Sequence, residues 1–130
     1  MSGPTPSQNQ SAFVPGGHPI DSYGNGGFRF AGMSHVGSVI AMPTGIQSWQ
    51  VKIPSRIDVN SLTPVLAEME QIDILLIGTG EQALPQNAPF ARALRSMGVH
   101  VDVMDTPAAA RTYNVLFDEG RRVAAALLAV

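Results

Sequence analysis

The chain has 130 residues, 45% of them hydrophobic and 14% charged, with a formal net charge of -2. That is enough for one domain with its own core, too short for two, and too apolar for a disordered chain. The near-balanced charge excludes a bulk pull toward nucleic acid or anionic membrane, and the lack of cysteine excludes disulfides, zinc–thiolate sites and thiol nucleophiles.

Residues 1–14 are rich in Pro, Ser, Gln and Asn with no apolar period, and read as a flexible tail before a single domain over 15–130. The start of the chain has neither the basic nor the apolar region of a signal peptide, and no apolar run is long enough to span a bilayer. A cytoplasmic protein without stable membrane insertion is expected. Residues 20–23 and 28–30 flank Gly24-Asn25-Gly26-Gly27, where Asn-Gly supplies the positive φ of a hairpin turn. Residues 36–42 and 46–51 read as two more strands around Pro43-Thr44-Gly45, completing an antiparallel meander.

The pattern then changes. Thr63-Pro64 reads as an N-cap and first helical residue, with Val65, Leu66 and Met69 on the apolar side. Residues 72–77 form an almost unbroken apolar run into Gly78-Thr79-Gly80, as a buried central strand does when it meets a tight turn. Asn87 is the next expected N-cap, Phe90, Leu94 and Met97 recur at helical spacing, and Gly98 fits the C′ position. Val99, Val101 and Val103 alternate with His100 and Asp102 as a strand with one wet face, giving a strand–helix–strand parallel crossover. Thr106-Pro107 opens the last helical region, whose stripe runs Ala109, Tyr113, Leu116, Gly120, Val123 and Leu127. Its spacing is that of one long helix or of two helices meeting at Gly120. A break near Gly120 is the preferred reading, with residues 123–130 as a helix end.

Chemistry is sparse. Gly78-Thr79-Gly80-Glu81-Gln82-Ala83 fits G-x-G-x-x-G/A in form, but Leu84-Pro85-Gln86 separates the turn from the next helix, and Glu81 would sit beside the phosphate. Dinucleotide binding is therefore not expected, although the glycine N–H groups and the helix start near Asn87 could hold a small anion or a partner's carboxylate. His18, His35 and His100 are too dispersed for a metal site, Gly37-Ser38 lacks a nucleophile elbow, and Asp118 and Glu119 point apart on a helix. Tyr113 falls on the buried stripe and needs a partner for its hydroxyl, and Asn114 is an amide within a helix. They read first as a polar lock holding the last helix to the sheet. The alternative makes them the border of a pocket with the glycine turn, rimmed by Arg111, Glu119 and Arg121. The candidate ligand-binding residues are Gly78, Thr79, Gly80, Tyr113 and Asn114, with no catalytic residue, no metal and no cofactor expected.

The sequence resembles domain-of-unknown-function family 498, the complex I assembly factor 3-like or Mth938-like family. The likeness is carried by Gly-Asn-Gly-Gly-Phe-Arg-Phe at 24–30, Leu-Leu-Ile-Gly-Thr-Gly at 75–80, and the segments 112–116 and 119–127. It implies an α/β fold, a single compact domain with a mixed sheet, flanking helices and a smaller antiparallel β layer. It also implies work through protein partners rather than catalysis, as in a mitochondrial relative that helps assemble respiratory complex I, with this chain as a bacterial member. The expected role is a non-catalytic interaction or assembly factor whose working surface lies on the meander or the last helix. Nucleic acid is not an expected partner, and self-association through a sheet edge is left open.

Overall fold

The structure, a computed structural model, describes residues 13–130. The expected tail falls on residues 1–12, outside the described residues, and on Phe13 and Val14, which open strand β1 (Phe13–Pro15). A small antiparallel sheet contains β2 (Ser22–Gly24), β3 (Gly27–Phe30) and β4 (Met33–Val36), in that order. The β2–β3 turn has Asn25 and Gly26 at φ 54 and 79, as the Asn-Gly pair requires. The expected strand over 36–42 is divided at Gly37 (φ 104), whose positive φ swings the chain from the small sheet into β5 (Ser38–Met42). The meander is thus shared between two sheets.

The large sheet runs β1-β6-β5-β9-β7-β8, with β6 (Gly45–Trp49), β7 (Ile74–Gly78), β8 (Val101–Met104) and β9 (Val123–Leu127). Strands β1, β6, β5 and β9 pair antiparallel, whereas β9, β7 and β8 pair parallel. The sheet is therefore mixed. The main correction to the sequence reading lies here: residues 123–127 are not a helix end but a central strand. The last helix, α3 (Thr106–Asp118), stops in a Schellman turn in which Gly120 (φ 78) donates to Phe117 and Arg121 to Leu116. The chain then enters the sheet between β5 and β7.

Helix starts also differ from expectation. Helix α1 (Thr63–Ala67) has no side-chain cap at Leu62. The turn before it is closed by Asp58, whose carboxylate accepts the Ser61 N–H at 2.8 Å. Helix α2 (Pro89–Ser96) is preceded by Ala88, not Asn87, at the N-cap. Ala88 is extended (ψ 148), the conformation proline favours in the residue before it. For α3 the cap is Asp105, accepting the Ala108 N–H at 2.8 Å, while Thr106 is already helical. Gly98 (φ 91) ends α2 as expected.

Both faces of the large sheet are covered. Leu75, Ile77, Ala124 and Ala126 pack with Phe90, Ala91 and Leu94 of α2 and with Val65 of α1. Leu76, Val123, Ala125 and Leu127 pack with Ala109, Ala110 and Tyr113 of α3 and with Phe28 and Phe30 of the small sheet. Alternation along β7 and β9 sends successive side chains to opposite cores, which is why both strands read as continuous apolar runs.

Candidate functional site

The chain leaves β7 for β8 by way of α2 on one face, and returns over β7 to β9 by way of α3 on the other. The two connections diverge at the carboxyl ends of β7 and β8, the place where open α/β sheets hold ligands. Gly78, Thr79 and Gly80 lie there. The chain itself closes the corner beside Gly78. Thr106 is fully buried; its Oγ1 donates to the Leu128 carbonyl at 2.8 Å and accepts the Gly80 N–H at 2.9 Å. The Thr106 N–H donates to the Gly80 carbonyl and the Thr79 N–H to the Met104 carbonyl. The Thr79 hydroxyl donates to the Gln82 carbonyl at 2.6 Å. These bonds occupy the N–H groups of Thr79 and Gly80, which an anion would have to use.

Tyr113 and Asn114 sit elsewhere. They lie two turns along α3 from Thr106, about 10 Å by the rise of a helix. The Tyr113 hydroxyl donates to the His18 carbonyl at 2.8 Å. The Asn114 amide pairs with both polar groups of the Ile20 backbone, each at 2.8 Å. Together they bind the segment entering the small sheet onto α3, the geometry of a polar lock. Arg111 reaches the Tyr23 hydroxyl at 3.1 Å, further fastening the small sheet to the helix. No hydrogen bond joins these residues to Gly78, Thr79 or Gly80.

The sequence missed Gln86 and Arg95. Strand β8 is an edge, and its residues 101 and 103 point their backbone groups away from β7. Gln86 covers Val103 as a neighbouring strand would: Oε1 accepts the Val103 N–H at 3.0 Å and Nε2 donates to the Val103 carbonyl. Arg95 donates to the Val101 carbonyl at 2.9 Å. The only available signal was a polar, non-capping Gln before a helix. Gln86→Leu is expected to uncover the edge and raise self-association, read as a concentration-dependent mass in sedimentation equilibrium. A variant that stays as monomeric as the parent would refute this role.

The histidines stay apart, and no group of His, Asp or Glu suited to a metal ion occurs among the described residues. His18 contacts the Pro15 carbonyl and His35 the Ser38 carbonyl. Asp73 and Arg122 form an exposed ion pair at 2.8 Å where β7 and β9 begin, and the guanidinium holds the Asp73 carboxyl below its usual value. Among the described residues no helix is long and apolar enough to cross a membrane.

Comparison with known proteins gives one consistent answer. An outer membrane protein from Bartonella henselae superposes with a TM-score of 0.82 at 47% identity, covering 89% of this chain and 98% of that one. A Mth938-like domain from Bordetella pertussis superposes with a TM-score of 0.70 at 32% identity, covering 85% of each chain. The fold is therefore Mth938-like: one mixed α/β domain with a mixed sheet, a smaller antiparallel sheet and helices. The NADH dehydrogenase [ubiquinone] 1 alpha subcomplex assembly factor 3 of Danio rerio is 37% identical over 112 residues, covering 86% of this chain. The chain spans 64% of the length of that relative. Residues 20–128 match the model of a family described as Protein of unknown function (DUF498/DUF598), and the chain belongs to that family.

Proposed function

We propose that the protein is a non-catalytic assembly factor that works by binding another protein, in the biogenesis of a respiratory membrane complex. The observation that carries this reading is the named role of its relatives as NADH dehydrogenase assembly factors, at 37% identity across most of the chain. The geometry agrees with it: the corner where an α/β enzyme would hold its substrate is closed by Thr106 and the end of β9. The test is affinity capture of the tagged full chain from its own cells, followed by deletion of the gene. A discrete partner, together with loss of assembled NADH dehydrogenase from the membrane on deletion, is the expected result. Recovery of no partner, with the complex unaffected, would end the proposal.

The alternative, a small-anion site on the glycine turn, has open space beside Gly80, where nothing lies within 4 Å of an added Cβ, and would need donors other than the occupied Thr79 and Gly80 N–H groups. Thermal unfolding against phosphate, nucleotides and small carboxylates tests it. A ligand at a hundredfold excess over its Kd would stabilise the chain by about 2.7 kcal/mol, and a flat panel retires the alternative.

A further inference from the structure

The large sheet has two edges, and an open edge invites a further strand. At β8 the outward backbone groups are taken up by Gln86 and Arg95. The other edge is β1, which among the described residues matches β6 no further than Phe13 opposite Gln47. Past that point β6 runs on through Trp49 toward Gln50 and Val51, beside a cleft of about 560 Å³. Phe13, Ile40, Trp49, Gln50, Asn60 and Thr63 line it. Phe13 is 51% exposed, whereas Trp49 is buried and donates its ring N–H to the Ser61 carbonyl at 2.9 Å.

The register says what fits there. The Gly16 N–H donates to the Thr44 carbonyl at 2.8 Å. In an antiparallel pair such bonds recur at every second residue, so the backbone groups of residues 46, 48 and 50 face away from β5. Gln50 is exposed, and its backbone makes no hydrogen bond among the described residues. Continued backward from Phe13, the β1 register puts Ala12 opposite Ser48, Ser11 opposite Trp49 and Gln10 opposite Gln50. Residues 10 and 12 then fall at hydrogen-bonding positions, and both carry an N–H. Pro15 falls at a position whose missing N–H would face outward, where an edge tolerates proline. The nearest proline before Phe13 is Pro6, so residues 7–12 are free to pair, a reach of about 20 Å.

Charge agrees with this occupant. No charged side chain lines the cleft. The charged residues next to its lining in sequence are turned to other tasks: Lys52 borders a neighbouring cleft with His35, and Asp58 closes the turn onto Ser61. Residues 1–12 carry no charged side chain either. A segment joined to Phe13 also arrives in register, at the high effective concentration of a short tether.

We propose that residues 7–12 of this chain extend β1 as a strap along β6, covering the cleft beside Trp49 and closing this edge to other strands. Ser, Gln and Asn favour strands poorly, so main-chain bonds alone hold the strap. An extended segment of another protein reaches this edge only by displacing it. The strap stands independently of the assembly-factor reading.

The chain has no cysteine, so Gln8→Cys carries one nitroxide label in the isotope-labelled full chain. Broadening is expected to be strongest at the amides of Gln50, Val51 and Asn60. It should be weakest on β8, five strands from β1 and so roughly 24 Å away. Uniform broadening, or broadening centred on another surface, would overturn the strap. A second sample places the nitroxide on copies without isotope label, mixed with labelled parent. Broadening of the same amides there assigns the cleft to a second copy and overturns the proposal as well. Gln10→Pro removes the N–H that faces Gln50, and should speed hydrogen exchange of the Gln50 amide about tenfold while leaving Leu76 of β7 unchanged. Equal exchange at Gln50 in parent and variant would show that the segment does not pair with β6.

Discussion

Tyr113→Ala is expected to lower the free energy of unfolding by about 3–5 kcal/mol, measured by urea titration. The side chain is 1% exposed, stacks on Phe117 with ring centroids 5.9 Å apart, and bonds through its hydroxyl to the His18 carbonyl. Truncation therefore leaves a cavity between α3 and the sheet and an acceptor that has lost its donor. Tyr113→Phe keeps the packing and removes only the hydrogen bond, at about 1 kcal/mol. If the Ala variant lost no more than the Phe variant, the ring would not be part of the core.

The same residue sets an alkaline limit. Burial pushes the Tyr113 hydroxyl up from 10.0 to about 12. Below pH 10 both states keep the proton and the stabilisation is complete. Between 10 and about 12 the unfolded chain gives up its proton first, so it binds fewer protons than the folded chain and stability falls as pH rises. The loss approaches about 2 to 3 kcal/mol above the folded pKa. Tyr113→Phe should remove that slope while leaving the neutral-pH baseline only slightly lower.

Gly78→Ala should cost about 3 kcal/mol, the upper range for inserting a methyl into a filled space. A Cβ there would lie 2.9 Å from the Thr106 Cα, 2.9 Å from its Oγ1 and 3.0 Å from the Leu127 Cδ2. A rotating side chain could give way, but the Cα belongs to the first turn of α3, so the helix start itself must move. That motion strains the Gly80–Thr106–Leu128 hydrogen bonds as well. Gly80→Ala is the control: φ is +98, which strains an L residue, but nothing lies within 4 Å of the new atom. It should cost only about 1–2 kcal/mol. Equal melting temperatures for the two variants would show that α3 does not close the notch.

Much of the fold was legible because local chemistry and tertiary demand agreed. The run over 72–77 is apolar on both faces because β7 is central, and Asn25-Gly26 can turn where few other pairs can. Gly98 and Gly120 mark helix ends because a Schellman turn needs positive φ at that position. Asn87 misled because an N-cap is decided by backbone conformation, and Pro89 places that conformation at Ala88. The site was legible in part. The glycine turn follows β7 as read from the sequence, and Tyr113 and Asn114 are tied to His18 and Ile20, but the two groups do not meet. Which side chains fill the corner was not legible, since Thr106 lies 26 residues from Gly80 in sequence.

By itself the sequence determined a single α/β chain, the β7 run, the hairpin and glycine stops, and the family. Only the tertiary structure decided the state of residues 123–127. Their alanines favour a helix locally and keep the apolar spacing of α3, so no short-range signal separates the two outcomes. Strand pairing on both sides, with Val39–Leu127 on β5 and Ile77–Ala126 on β7, satisfies their backbone, and small side chains let α3 lie close to the sheet. Those long-range contacts outweigh an intrinsic helix preference of about 0.7 kcal/mol per residue at most.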